Sequence, residues 1–252
     1  MIKNKTNFHF QRYELKYILP GNFADIIVPE LLKHMEWDPF IAHKEDKSYQ
    51  VNSLYFDSDD YCSFFEKING FKKRKKLRIR YYGDKFDPEK LIYLEIKRKY
   101  DSVIIKDRIK YPFEKISNIY KITNFTNEIE GMEAYEKDTF TEFLLTLRLK
   151  DMKPKLFVSY LRRPLMGIQN KNLRITLDSH IKACEAKNFE MVFTPQNVLS
   201  KMLIVEVKYN NILPGWFHKI IQKYSLDRTS YSKYTNGLIA CKPDSKLIFN
   251  IS

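Results

Sequence analysis

The stretch Leu77-Arg78-Ile79-Arg80-Tyr81-Tyr82-Gly83 alternates strictly, and this constrains the fold more than any other feature. Leu77, Ile79 and Tyr81 share one face of an extended chain; Arg78, Arg80 and Tyr82 share the other. A period of two predicts a β-strand with one apolar and one cationic face. The pattern recurs. Strands are expected over Phe10–Leu19, Val51–Asp57, Lys75–Tyr82, Leu91–Lys99, Val103–Tyr111, Lys155–Arg163, Asn172–Ile181 and Met202–Asn210. Their charged faces carry Arg12, Glu14 and Lys16; Glu95, Lys97 and Lys99; Lys106, Arg108 and Lys110; Arg162; Arg174 and Asp178; and Glu206 and Lys208.

Between strands the periodicity changes. Phe23–His34 reads as a helix with Asn22 as N-cap, broken or kinked at Pro29. Ser58–Lys67 reads as a short helix or turn, and Pro214–Leu226 as a helix with proline in its first turn. Ile116–Asp151 is expected to be helical, since Phe140, Phe143, Leu144 and Leu147 fall at helical spacing. It is expected to pack outside the sheet. With no Gly-, Ser- or Pro-rich linker, residues 1–252 are expected to form one domain with its core over about 10–240.

An open sheet would leave the charged faces merely solvated. The recurring Glu-x-Lys pairs (Glu14/Lys16, Glu95/Lys97, Glu206/Lys208) point elsewhere. Eight antiparallel strands can close on themselves, so the expected fold is α+β: an eight-stranded antiparallel β-barrel tunnel with a basic interior and helices packed around the outside. Lysine and arginine number 44 against 31 acidic residues, a net charge of +13 that fits a polyanionic partner. Nucleic acid is disfavoured, because the aromatic residues beside the charges alternate with them as strand core. The run Lys72–Lys76 is explained as well by a tunnel mouth that gathers polyanions. Three widely spaced cysteines without ligand spacing argue against disulfides and zinc and for a reducing compartment. No signal peptide or transmembrane segment is read, so a cytoplasmic location is expected.

Several motifs together resemble one family. Glu14-Leu15-Lys16, Leu54-Tyr55-Phe56-Asp57, Glu66-Lys67, Arg78 to Gly83, Glu95-Ile96-Lys97, Tyr160-Leu161-Arg162, Leu173 to Asp178, Glu206-Val207-Lys208 and Ser232-Lys233-Tyr234 occur in the order found in the VTC domain. That domain is the polyphosphate polymerase module of the vacuolar transporter chaperone complex and a member of the triphosphate tunnel, or CYTH-like, superfamily. The resemblance implies an eight-stranded tunnel that is a phosphotransferase, moving the γ-phosphate of ATP or another nucleoside triphosphate onto polyphosphate. It places Lys16, Arg78, Arg80, Arg162, Arg174 and Glu206 at the catalytic centre. Lys97, Lys106, Lys208, Ser232 and Lys233 would bind phosphate or polyphosphate, with Arg12 and Arg108 added by strand parity. Mn2+ or Mg2+ would bind Glu206, with Glu14 and Glu95 added by strand parity as further candidates. Phosphate and pyrophosphate are further implied ligands. Phe64 and Ser230 depart from the family pattern, standing where eukaryotic members carry an arginine and a lysine. The chain is expected to be a stand-alone version without the phosphate-sensing and membrane domains; a membrane partner protein is left open.

The chemistry suits these residue types. Phosphoryl transfer asks the protein mainly for positioning and charge neutralisation. Arginine grips phosphate oxygens in pairs, while lysine acts as a point charge. The acceptor, a terminal phosphate oxygen, is already ionised, so no general base is required. Superfamily hydrolases open with Glu-x-Glu-x-Lys; here the first carboxylate is Arg12, which favours transfer over hydrolysis. Triphosphate hydrolysis and non-catalytic polyphosphate binding remain as alternative readings of the same scaffold.

Overall fold

The computed structural model describes residues 12–89, 91–101, 103–122, 128–189 and 194–242. In chain order the elements are β1 (Arg12–Pro20), α1 (Ala24–Leu32), β2 (Met35–Trp37), α2 (Pro39–Ala42), β3 (Tyr49–Asp57), α3 (Cys62–Ile68), β4 (Lys73–Tyr82), β5 (Leu91–Tyr100) and β6 (Val103–Pro112). Then come α4 (Ala134–Leu149), β7 (Lys153–Gly167), β8 (Arg174–Glu185), β9 (Gln196–Leu199), β10 (Met202–Asn210), α5 (Gly215–Lys223) and α6 (Lys233–Cys241).

The strands form one sheet. Eight follow the order β1-β10-β8-β7-β3-β4-β5-β6, each paired antiparallel with its neighbour, while β2 adds to β7 and β9 to β8. The end strands β1 and β6 approach within 8 Å at Cα, so the sheet curls nearly into a ring. No ladder joins them among the described residues. All eight expected strands are present. β2 and β9 were not legible, being too short for alternation to register. Helix α1 also differs from expectation: Asn22 lies in a 3-10 turn before it, and Pro29 sits inside it without ending it. Part of the expected helical stretch 116–151 is a 3-10 turn over Phe113–Asn118, and residues 123–127 lie outside the described residues. No helix among the described residues is long and apolar enough to cross a membrane.

Three apolar clusters hold these parts together. On the convex side, Leu54, Phe56, Leu77, Ile79, Leu94 and Ile96 meet Phe140, Phe143, Leu144 and Leu147 of α4. Arg98 fastens the same helix, donating to Glu142 while also pairing with Asp107. Further round the convex side, Tyr17, Ile175, Leu177, Val205 and Val207 meet α1 and α5 through Ile27, Leu31, Phe217 and Ile220. The third cluster lies on the concave side. Val51, Tyr55, Leu156, Val158, Ala183 and Ile204 pack against Phe64 of α3 and Tyr234 and Leu238 of α6. The helices do surround the sheet, then, but two of them seat inside its curl. Phe64 is wholly buried in that seat. Full burial of side chains this large contributes about 1.5–3 kcal/mol each.

Candidate functional site

Strand parity builds the site. On β4 the concave face reads Arg74, Lys76, Arg78, Arg80 and Tyr82; on β5, across the ladder, it reads Lys99, Lys97, Glu95 and Tyr93. β1 and β10 bring Glu14 opposite Lys208 and Lys16 opposite Glu206. The segment Arg228–Tyr234 crosses the open side of the curl, tied to β1 by Thr229 N–H donating to Lys16 O (2.8 Å) and Lys16 Nζ donating to Tyr231 O (2.9 Å). Together they enclose a cavity of about 1100 Å³. Fifteen lysines and arginines line it against four carboxylates, an excess of cations that suits an anionic ligand.

The expected residues converge. Lys16, Arg78, Arg80, Lys97, Lys106, Arg108, Arg162, Arg174, Glu206, Lys208, Ser232, Lys233 and Glu14 all line this cavity. Arg80 and Glu206 lie deepest; Arg174 sits towards one end, its guanidinium held by Asp38. Arg12 occupies β1 opposite Asn210, but its side chain lies outside the described residues. Glu95 departs from the expectation of a metal ligand. It is fully buried behind the lining, 2.5 Å from both Arg78 Nε and Lys106 Nζ and 3.8 Å from Arg80 Nη1, and serves as their counter-charge. Asp178 plays the same part: Arg162 donates to it twice at 2.7 Å and Lys233 once at 2.6 Å. Asp57 fixes a turn, accepting from the backbone of Ser58, Ser63 and Phe64 and from the Tyr234 hydroxyl.

Five lining cations were absent from the expected set: Lys67, Arg74, Lys76, Lys99 and Arg228. Parity with Arg78 and Lys97 was the signal for Arg74, Lys76 and Lys99. Lys67 and Arg228 arrive from a helix and a loop, where no periodicity marks direction.

Ser232 caps α6, its oxygen accepting from Thr235 N–H (3.2 Å) and from the Thr235 hydroxyl (3.0 Å), which leaves its own hydrogen for an acceptor in the cavity. The helix thus directs its N-terminus, the favourable end for anions, at the cavity.

Burial and crowding shift the charges. Burial pushes Lys76 down to about 7; Asp57 opposes this, and Lys97 and Arg74 add to it. Burial likewise brings Lys97 to about 8, against the pull of Glu14 and with repulsion from Lys16. Lys106 falls to about 6 through burial and Arg78, Glu95 notwithstanding, although 34% of its side chain remains exposed. Burial and Glu206 would raise Glu14, yet Lys97, Lys16 and Lys208 hold it at about 2. Glu206 is raised by burial but kept far below the usual carboxylate range by Lys208, Lys16 and Arg162. Both carboxylates are therefore ionised oxygen donors facing the cavity, as a hard cation requires. Among the described residues no three His, Cys, Asp or Glu side chains converge. The donor set fits Mg2+ or Mn2+ shared with phosphate oxygens, since such ions are often held by one or two carboxylates plus substrate.

A family model described as the VTC domain matches residues 11–242. Vacuolar transporter chaperone complex subunit 4 of Trypanosoma cruzi is 20% identical over 277 residues, covering 91% of this chain and 34% of that protein. The chain therefore spans about a third of that relative's length. Among solved structures, a Bacillus halodurans protein assigned as an adenylate cyclase is 12% identical with a TM-score of 0.47, covering 88% of this chain and 95% of that one. A Hippeastrum adenylyl-cyclase-like protein with a dominant triphosphatase activity is 13% identical with a TM-score of 0.48, covering 94% and 98%. At such scores these two bear on neither substrate nor reaction.

Proposed function

Since this chain belongs to the VTC domain family, we propose that it is a divalent-metal-dependent polyphosphate polymerase, moving the γ-phosphate of a nucleoside triphosphate onto a polyphosphate end. The observation that carries this reading is the cavity with fifteen cationic side chains, five of them beyond the expected set. A triphosphate alone carries about four charges; an excess of this size suits a longer polyanion held at the same time.

Each side chain then has a task. Arg78 and Arg80, fixed from behind by Glu95, and Arg162, fixed by Asp178, hold phosphoryl oxygens in preset directions. Lys16, Lys97, Lys106, Lys208 and Lys233 neutralise the remaining charge, and Ser232 donates to a phosphate oxygen. Tyr55, which accepts from Arg78 at 3.0 Å, and Tyr160, over which Arg162 stacks at 5.2 Å, keep those guanidinium planes from swinging. Glu206, with Glu14 beside it, would hold the cation, exchanging its 2.6 Å contact with Lys208 Nζ for metal. Bound there, the ion would cancel charge on the β- and γ-phosphates and align them. No residue need take a proton from the acceptor oxygen.

The test is incubation of purified protein with γ-labelled ATP and Mn2+ or Mg2+. ADP with label in long chains is expected. Label released only as orthophosphate would replace the reading with triphosphate hydrolysis. Intact ATP, with tripolyphosphate still raising the melting temperature, would leave a binding module.

A further inference from the structure

The two ends of the cavity differ in chemistry. On β4 the concave face runs from Arg74 at one end to Tyr82 at the other, and on β5 from Lys99 to Tyr93. At the first end stand Lys67, Arg74, Lys99 and Arg228, and the rings lining the cavity nearby, Tyr231 and Tyr234, are buried. At the second end four rings form a row. Phe40 meets Tyr49 edge to face at 5.4 Å, Tyr49 meets Tyr82 at 5.6 Å, and Tyr82 meets Tyr93 at 5.6 Å. The Arg108 guanidinium lies 5.0 Å above Tyr93. Phe40, 58% exposed, ends the row on the four-residue helix α2, whose N-cap Asp38 also binds Arg174.

We propose that the aromatic end is the seat of the nucleobase, so that the nucleotide lies along the cavity with its base on the Phe40–Tyr49–Tyr82 row and its phosphates pointing towards Arg80 and Arg78. This rests on the polymerase reading and adds to it a direction: the opposite end, where Lys67, Arg74, Lys99 and Arg228 outnumber Asp101 in the lining, is left for the second polyanion. Three observations support it. First, the inner rings occupy the lining face, with Phe40 packed on Tyr49 just beyond it. Tyr82 continues the parity of Arg78 and Arg80, and Tyr49 and Tyr82 line the cavity itself. Second, the spacing fits. Four residues of strand advance about 13 Å, so a base at Tyr82 puts an extended triphosphate beside Arg80 and Arg78. Third, rings flanked by guanidinium groups bind bases through their π-faces, without reading base edges. The site would therefore accept purine nucleoside triphosphates with little choice between adenine and guanine.

The experiment compares ATP with tripolyphosphate, which carries the phosphates and no base. Dissociation constants are measured by calorimetry, with Mg2+ present, for the full chain and for Phe40→Ala and Phe40→Trp. Phe40→Ala should weaken ATP by roughly five- to tenfold and leave tripolyphosphate within about twofold, as loss of one stacking contact predicts. Phe40→Trp should restore ATP. Parallel loss for both ligands, or no loss for ATP, overturns the proposal. Chain synthesis is scored separately. A protein that makes no polyphosphate but shows the ATP-selective loss keeps the base seat and loses the polymerase reading. One that polymerises while its ATP-to-tripolyphosphate ratio ignores Phe40 does the reverse.

Discussion

One concave sheet face carries two opposed environments. On β7 it begins with Leu156 and Val158 beneath α6 and continues into Tyr160 and Arg162 in the cavity; on β8 it passes from Ala183 and Ile181 to Asp178, Thr176 and Arg174. The apolar half binds α6 so closely that a Cβ on Gly237 would lie 2.9 Å from Leu156 Cδ2 and 3.2 Å from the Ala183 Cβ. The cationic half carries many more positive than negative side chains around an open cavity. The difference teaches where stability is made and where it is given up. The helix seat supplies cohesion, and the cavity uses part of it to keep uncompensated charge ready for a ligand.

If that division holds, removing Glu206 should act far more on turnover than on the fold, although Lys208, Lys16 and Arg162 lose a counter-charge and stability falls as well. Glu206→Ala is expected to cut turnover by roughly a hundred- to a thousandfold, the scale seen when a group aimed at developing charge is lost. Its circular dichroism should match the parent. A fully active Glu206→Ala protein would remove the metal role and blur the two halves. Asp178→Ala crosses the boundary, because this fully buried carboxylate anchors Arg162 and Lys233. Breaking such a set costs about 3–5 kcal/mol through the charges left unpaired. A urea midpoint that drops, and is partly restored by tripolyphosphate, is expected; an unmoved midpoint would mean that water already compensates those cations. Gly237→Val tests the apolar half alone. Overpacking should cost about 1–3 kcal/mol in the same titration. No loss would show that α6 can lift away from β7 and β8 without penalty.

The division also marks what could be read in the sequence. Every one of the eight principal strands was legible, because apolar residues alternate with charges over a whole strand length, and parity alone aimed Arg78, Arg80, Lys97 and Lys106 inward. The seating of α3 and α6 inside the curl was not. Val51, Leu156 and Val158 sit on the same parity as the charged lining, and nothing local says that a helix from residue 233 onward will cover them. Contacts between distant parts of the chain were equally silent. Tyr234 donates to Asp57 across 177 positions, and Lys233 reaches Asp178 across 55. Glu95 shows the limit most clearly. Its parity with Lys97 suggested a ligand in the cavity, whereas the pair of arginines opposite on β4 draws its carboxylate behind the lining.

The smallest effect probes the repulsion itself. An unfolded lysine titrates at about 10.4, but Lys97 and Lys76 are pushed down to about 8 and about 7 in the folded protein. Between those values and the unfolded one, the unfolded chain holds protons that the folded chain has lost. The stability these groups contribute therefore rises as pH climbs from about 7 towards about 10. An anion reverses the situation by raising both lysines, so binding must take up protons across that window. Sulfate is a clean probe because its own charge is constant there. It should raise the melting temperature most near pH 6.5 and progressively less by pH 9, and calorimetry in two buffers of different ionisation enthalpy should report net proton uptake near pH 8. A sulfate-induced rise that is identical at both pH values would mean that the lysines stay charged throughout, and that the cationic half is relaxed by solvent rather than poised for a ligand.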